Sequence, residues 1–218
     1  MEFRGKTAAE AWEQSIETML QLYDQEKIEP VLTEHDNYAI ELTGVLLCVD
    51  NVTAKYQKSK YSPKSSADID TYAKELLGKG RENHVYRRLT ISDQEPLINQ
   101  EAAIVKKLSE NSYSRRAIIN LWNMHEDLSS NYPPCVCTMQ FMIRNQALEL
   151  YTFFRSNDAW ELAHADMIAF IRYQKKIASK LGIKASTYSQ FVGSYHIYDS
   201  DIPIARVSFS NRRKGQGT

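Results

Sequence analysis

A cysteine that follows two prolines is the feature of this sequence most suggestive of chemistry. Pro133-Pro134-Cys135 stands directly before an apolar run typical of a strand. Each proline fixes its own φ, so the pair restricts the approach of the chain and presents the thiol rigidly. Rigid presentation suits a nucleophile, whereas an isolated cysteine is more often a small buried residue. The motif by itself leaves both interpretations open.

Two arginine sites and one strand motif could bind a nucleotide. Ser114-Arg115-Arg116 and Arg155-Ser156 combine guanidinium groups with hydroxyl donors, which suit a phosphate dianion. Positive charge near a cysteine also favours its thiolate. In His196-Ile197-Tyr198 the alternation of a strand puts an imidazole and a phenol on one face, where they suit a sugar hydroxyl. Taken singly, each arginine pair is better explained as solvated surface charge.

The apolar pattern predicts helices and strands in mixed order. Helices are predicted at 7–26 after the N-cap Thr7, at 68–78, at 95–110 and at 159–181 before Gly182. Strands are predicted at 38–49, 117–122, 135–144, 147–154 and 187–199, with a tight hairpin at Arg144-Asn145-Gln146 and a loop at 59–66. Hairpins rather than regular βαβ repeats favour an α+β fold around a mixed sheet.

Composition indicates one globular domain over residues 1–218, in which about 206–218 form a flexible tail. Lys plus Arg and Asp plus Glu number 27 each, so we expect no nucleic acid partner. The basic cluster at 212–214 is interpreted as a solvated end. Cys48, Cys135 and Cys137 lack the second pair that a metal site needs, so no metal is expected. Without a membrane span or a leader peptide, we expect a cytoplasmic protein.

The second half of the sequence resembles a known family. The blocks SRRAIINLW, PPCVCTMQF, FFRSNDAW, then Asp166, then VGSYHIY occur between Ser114 and Tyr198 in the order found in the thymidylate synthase superfamily. Residues 4–108 match weakly, in the style of the short archaeal-type enzymes. The resemblance implies a thymidylate synthase-like domain, with a mixed sheet flanked by helices and a homodimer formed through the sheet.

The same resemblance implies roles for individual residues. Cys135 corresponds to the nucleophile that attacks C6 of a pyrimidine nucleoside monophosphate, with Asp158 and Asp166 as the other catalytic residues. Substrate binding is expected from Arg155, Ser156 and Asn157 of the same subunit, from Arg115 and Arg116 across a dimer interface, and from His196 and Tyr198 at the sugar 3′-hydroxyl. Asp158 is also expected to face the folate cofactor, 5,10-methylenetetrahydrofolate, in a site shared between subunits. The glutamate that manages proton transfers in the family lies in the weakly matching half and is not assigned.

Asp166 departs from the synthases, which carry an asparagine at this position. That amide reads the edge of uracil, whereas a carboxyl group can accept from the amino group of cytosine and share one proton with N3. In carrying an aspartate at this position, the chain resembles the phage deoxycytidylate hydroxymethylases. The sequence therefore predicts folate-dependent 5-hydroxymethylation of CMP or dCMP. The alternatives are a thymidylate synthase that methylates dUMP, a cytidylate C5-methylase, or a catalytically silent nucleotide- or RNA-binding relative.

Overall fold

A computed structural model describes residues 1–34, 36–55, 57–77, 88 and 99–215 of the chain, with side chains as far as residue 210. Its elements in chain order are β1 (Glu2–Gly5), α1 (Ala8–Asp24), β2 (Val31–Leu32), β3 (Tyr38–Val49), α2 (Ser66–Leu77), α3 (Gln100–Glu110), β4 (Ala117–Asn120), α4 (Met124–Asp127), β5 (Val136–Arg144), β6 (Ala147–Asp158), α5 (Ala163–Lys180), β7 (Lys184–Tyr198) and α6 (Ile202–Gly215).

The strands form one mixed sheet in the order β1-β3-β7-β6-β5-β4, with β2 added beside β3. The pairs β1/β3 and β6/β7 are parallel, and the other pairs are antiparallel. This arrangement, with helices packed against the sheet, confirms the predicted α+β class. Both parallel pairs are joined through a helix, β1 to β3 through α1 and β6 to β7 through α5, which our expectation of hairpin connections did not include. A parallel pair needs such a crossover because a two-residue turn cannot join parallel strands.

Local sequence signals that were strong gave the correct elements. The Thr7 side chain accepts a hydrogen bond from the Glu10 amide at 3.2 Å and so caps α1. The hairpin between β5 and β6 has positive φ at Asn145 (49°) and Gln146 (60°), as a type I′ turn requires. Gly182 follows α5 with φ 67°, which is the left-handed conformation favoured for glycine at a helix end.

Other boundaries differ from the expectations. Residues 202–215 form α6 where we expected a flexible tail from about 206, because Ile202, Ala205 and Phe209 bury one apolar face of this helix. β4 ends at Asn120, two residues earlier than predicted. Of the helix predicted at 95–110, residues 95–98 lie outside the described residues. Within the described ranges, every helix is too short or too polar to cross a membrane.

The main core lies between one face of the sheet and helices α1 and α5. Trp12 of α1 is fully buried, and its indole N–H donates to the Ala159 carbonyl at 2.7 Å. Ser15 Oγ and Tyr195 OH form a buried hydrogen bond at 2.8 Å, which ties α1 to β7. Burying large side chains such as these contributes about 1.5–3 kcal/mol each. The core therefore fixes β6, β7 and α5, the elements from which most of the candidate site is built.

Three neighbouring strands change face at the same level. In β3 the buried positions run through Ile40 and Leu42 and then shift by one to Val45 and Leu47, and β6 and β7 show the same shift near residues 155 and 193. The register of β3 and β7 is unchanged across this point, so both strands turn together. Gly44 has φ 65°, and a Cβ on Gly193 would lie 2.6 Å from the Arg155 carbonyl oxygen. Glycine is therefore required at both places.

Candidate active site

Cys135 lies in a bend immediately before β5, in a segment that Arg155 holds from the neighbouring strand. The backbone amide of Arg155 donates to the Cys135 carbonyl at 2.9 Å. Its guanidinium donates from Nη2 to the Pro133 carbonyl at 2.8 Å and from Nε to the Pro134 carbonyl at 3.2 Å. Cys135 itself is exposed. The position of the segment before β5 therefore depends on Arg155 as well as on the two prolines.

Arg155 keeps donors available for an anion. Nη1 donates to Ser156 Oγ at 3.3 Å, so three of the five N–H groups of the guanidinium have partners in the described part of the chain. One N–H remains on each of the two terminal nitrogens. That pair can contact a phosphate or carboxylate in the bidentate manner typical of arginine.

The Cys135 thiol lies in a mixed electrostatic environment. Ser156 Oγ donates to Cys135 Sγ at 3.8 Å. Partial removal of the sulfur from water raises the pKa of the thiol, and the nearby carboxyl groups of Asp166 and Asp158 raise it further. The Arg155 guanidinium and the Ser156 hydroxyl lower that pKa. A nucleophilic Cys135 therefore has to lose its proton as the substrate binds or reacts.

Asp166 is buried at the first turn of α5 and is held by two donors. Tyr72 OH donates to Oδ1 at 2.5 Å, and Asn157 Nδ2 donates to Oδ2 at 3.0 Å. Burial raises the pKa of Asp166 to about 7, the two hydrogen bonds oppose this rise, and the neighbouring Asp158 adds to it. This carboxyl group therefore keeps its proton to a much higher pH than an ordinary aspartate.

His196 of β7 lies between Glu41 of β3 and Asp158 of β6, each of which is its direct cross-strand neighbour. Both hydrogen bonds to the Asp158 side chain, from the amides of Trp160 (3.0 Å) and Glu161 (2.9 Å), go to Oδ1. Burial raises the pKa of Asp158 to about 6. Because the strands change face just before this level, these polar groups avoid the core while Asn157 points into it.

The predicted sugar-binding pair lies on the same face. The rings of His196 and Tyr198 meet edge to face with centroids 5.0 Å apart. Ser194 Oγ lies 3.4 Å from His196 Nδ1 and donates to Glu41. Burial lowers the pKa of His196 and raises that of Tyr198, and the charge of Asp158 also raises the pKa of Tyr198. The imidazole is therefore neutral at pH 7 and can either donate or accept a hydrogen bond.

An open pocket of about 650 Å³ adjoins this cluster at Arg155 and Pro133. Its volume lies within the range of roughly 300–1,000 Å³ typical of small-molecule sites. One wall includes Asp127, which forms a buried ion pair with Arg88 at 2.7 Å. The other lining residues are Glu34, Trp122, Leu128, Ser130, Asn131 and Tyr132. The pocket can take an anionic ligand against Arg155.

The structure does not bring Arg115 and Arg116 to this cluster within one chain. Both are exposed and precede β4, whose first residue, Ala117, pairs with Phe141 far along β5. At about 3.3 Å per residue, they lie on the order of 20 Å along the sheet from Cys135. Arg155, Ser156, Asp158, His196 and Tyr198 gather near Cys135, whereas the two arginines can reach such a site only from another subunit.

Tyr72 and the position of the Asn157 side chain were not predicted from the sequence. Tyr72 lies among Ile69, Ala73 and Leu76, the buried stripe of α2, and a phenol in such a stripe must find a partner for its hydroxyl. That signal was present in the sequence, but not the identity of the partner. The Asn157 side chain contacts Asp166, and its Oδ1 is buried without a hydrogen-bond partner among the described residues. Direct contact of Asn157 with substrate stays a prediction.

This chain is similar to known proteins of one family. A family model described as "Thymidylate synthase" matches residues 53–216. A protein of Methanocaldococcus jannaschii is 30% identical over 191 residues, which cover 83% of this chain and 86% of that protein. Relatives from Methanopyrus kandleri (34% over 107 residues, 49% of this chain and 51% of that protein) and Methanosarcina barkeri (30% over 135 residues, 61% and 62%) are also similar.

All three relatives bear the description "Putative thymidylate synthase". The matches to the Methanopyrus and Methanosarcina proteins span about half and somewhat under two thirds of their lengths, respectively. The family model covers well over half of this chain, including the elements that carry Cys135, Arg155, Asp158, Asp166 and His196. The chain belongs to the thymidylate synthase family.

Proposed function

We propose that this protein transfers a one-carbon unit from 5,10-methylenetetrahydrofolate to C5 of a cytosine nucleoside monophosphate and releases a 5-hydroxymethylcytosine nucleotide. The thymidylate synthase family uses this folate as its one-carbon donor. The observation that carries the choice of base is Asp166, a buried carboxyl group with a pKa of about 7 beside the Cys135 cluster. Both CMP and dCMP fit the proposal, and we expect the reaction in the cytoplasm.

The nucleotide is proposed to bind with its phosphate on Arg155 and Ser156. The two spare N–H groups of Arg155 and the nearby pocket support this orientation. His196 and Tyr198, on the same face of the sheet, then contact the sugar 3′-hydroxyl. A phosphate held by Arg155 lies next to the Pro133-Pro134 segment, so the base reaches toward Cys135.

A homodimer formed through the sheet completes the phosphate site in this proposal. Ile118, Phe153 and Phe191 are exposed on one face of the sheet, and the last two rings are in contact, with centroids 5.7 Å apart. Exposed apolar side chains that share a face are typical of a protein interface. Pairing of two such faces supplies Arg115 and Arg116 of one chain to the site of the other. Contact with the phosphate has to be made in this way, because both arginines lie too far from Cys135 of their own chain.

Asp166 is proposed to read the base. One carboxyl oxygen accepts from the N4 amino group of cytosine, and a single proton is shared between the other oxygen and N3. A carboxyl group with a pKa of about 7 supplies that proton near neutral pH. Asparagine would instead present a permanent N–H donor, which suits the O4 of uracil.

Chemistry begins in this proposal with addition of the Cys135 thiolate to C6, which makes C5 nucleophilic. The folate supplies the carbon that bonds to C5, and Asp158, whose Oδ2 is free of the two amides, is the group expected to align it. Loss of the C5 proton and of tetrahydrofolate leaves a methylene group on the base. Water adds to this methylene and the Cys135 sulfur departs, so one water is consumed for each hydroxymethyl group formed.

A second candidate is methylation of dUMP, the reaction that the description of the archaeal relatives implies for those proteins. A cytidylate C5-methylase is the intermediate case, in which hydride rather than water reaches the methylene. A catalytically silent binding protein is opposed by the contacts that position Cys135. The base specificity and the mass of the product separate these candidates.

The test is release of tritium from C5 of labelled CMP, dCMP and dUMP with methylenetetrahydrofolate, followed by mass spectrometry of the products. We expect release from a cytosine nucleotide with the gain of a hydroxymethyl group, and loss of release in Cys135→Ser. The matched control is Cys137→Ser, which removes a buried thiol two residues away. Release from dUMP alone, with a methyl product, would contradict the proposal.

A further inference from the structure

The two oxygens of Asp166 receive donors of unequal strength. Tyr72 OH lies 2.5 Å from Oδ1, whereas the Asn157 amide nitrogen lies 3.0 Å from Oδ2. A phenol O–H donor at so short a distance forms a stronger hydrogen bond than an amide N–H at the longer one. Tyr72 is held in place by the buried face of α2, and the hydrogen-bonded Asp166 side chain is almost completely removed from water.

Recognition of a base by a carboxylic acid depends on which oxygen carries the proton. Cytosine offers an N4 amino donor beside an N3 acceptor, and uracil offers an O4 acceptor beside an N3 donor. A protonated carboxyl group can therefore pair with either base, because its proton can move from one oxygen to the other. If the proton stays on the oxygen that faces N3, the carboxyl group pairs with cytosine. With uracil, the other carboxyl oxygen would face O4, another acceptor, and the proton would face the N3–H, another donor.

We propose that Tyr72 is a specificity-determining positioning residue, which keeps Oδ1 of Asp166 as an acceptor for the cytosine amino group and confines the proton to Oδ2, facing N3. The inference rests on the base-reading role of Asp166 in the proposed function. An oxygen that already accepts a strong hydrogen bond is a poorer site for a proton, so the short bond from Tyr72 directs the proton to Oδ2. Oδ1 keeps a second lone pair for the amino group of the base.

The other polar groups around Asp166 change how readily it is protonated and act on the carboxyl group as a whole. Asp158 raises its pKa and Lys64 lowers it, while Cys135 and Tyr188 are also close enough to interact electrostatically. Only Tyr72 and Asn157 contact single oxygens of the carboxyl group in the described structure. The choice between the oxygens is therefore set by this pair.

The test compares Tyr72→Phe with the wild type in tritium release from C5 of cytosine and uracil nucleotides, as kcat/KM across a range of pH. Loss of the phenol donor frees the proton, so we expect the preference for cytosine to fall by about tenfold, chiefly through a gain with uracil. The pH at which cytosine turnover declines should also rise, since a donor that favours the carboxylate is gone. Tyr173→Phe, which alters a buried phenol on the adjacent α5, serves as the control and should leave both quantities unchanged.

Asn157→Ala gives a second variant with the opposite expectation. It removes the donor on Oδ2 and should maintain or increase the preference for cytosine. If Tyr72→Phe keeps the wild-type base preference and pH profile, or if both variants lose preference equally, Tyr72 does not place the proton and the inference is overturned. The proposed function fails separately, and the inference with it, if the wild type itself reacts only with uracil nucleotides. If Tyr72→Phe does not fold, Asn157→Ala alone decides. An unchanged or higher preference for cytosine in that variant supports the inference, and a lower preference for cytosine overturns it.

Discussion

Replacement of Asp166 by asparagine should change how stability depends on pH. Burial raises the pKa of Asp166 from 3.8 to about 7 in the folded state. The folded protein therefore binds the additional proton more tightly than the unfolded chain between these values. The contribution of this group to stability is fully present below about pH 4 and is lost as the pH rises through about 7. At 1.36 kcal/mol per unit, the loss amounts to roughly 4 kcal/mol.

Asparagine has a similar shape and does not titrate, so the variant lacks this loss. Urea unfolding of wild type and Asp166→Asn, measured in steps from about pH 4 to about pH 9, gives the difference in unfolding free energy at each pH. We expect the variant to gain up to roughly 4 kcal/mol on the wild type across this range, with a plateau above about pH 7. Other titrating groups cancel to first order in the difference. A difference that stays constant with pH would show that Asp166 ionises normally and that our account of its burial is wrong.

Two further outcomes are expected. Mixing inactive Cys135→Ser chains with inactive chains that carry Arg115→Ala and Arg116→Ala should restore about a quarter of wild-type tritium release. Half of randomly formed dimers are mixed, and each mixed dimer contains one complete site out of two. No recovery after confirmed exchange of subunits would refute a shared site. Gly193→Ala should destabilise the protein by about 1–3 kcal/mol in urea unfolding, because its Cβ would lie 2.6 Å from the Arg155 carbonyl oxygen. The variant should also bind phosphate more weakly, because Arg155 would be displaced. Unchanged stability would show that the strands can change face without glycine at position 193.

Elements with complete local signals were predictable from the sequence. The N-cap Thr7, the hairpin at Asn145 and Gln146 and the long apolar run of β3 each carry their own structural cause. β1 was missed because four residues, Glu2–Gly5, become a strand only through parallel pairing with β3, more than 40 residues away. A segment of four residues is too short to show the alternation of apolar and polar residues that identifies a strand.

The candidate site was predictable to the extent that its residues stand in recognisable blocks. Cys135, Arg155 and His196 were singled out by residue type and spacing and received roles through the resemblance, and the fold places them near one another. Tyr72 lies in a region of weak resemblance, and only tertiary packing reveals that its hydroxyl meets Asp166. Likewise, the raised pKa of Asp166 is a property of burial, which depends on the position of α2 against α5.

The bonds from Arg155 to the segment before Cys135 join two binding events in one thermodynamic cycle. The same guanidinium fixes the carbonyls of Pro133 and Pro134 and presents its remaining N–H groups to an anion. An anion that restrains Arg155 thereby restrains the position of the thiol. Linkage is reciprocal, so inorganic phosphate at Arg155 and a reversible ligand on the Cys135 sulfur must alter each other's affinity by the same factor.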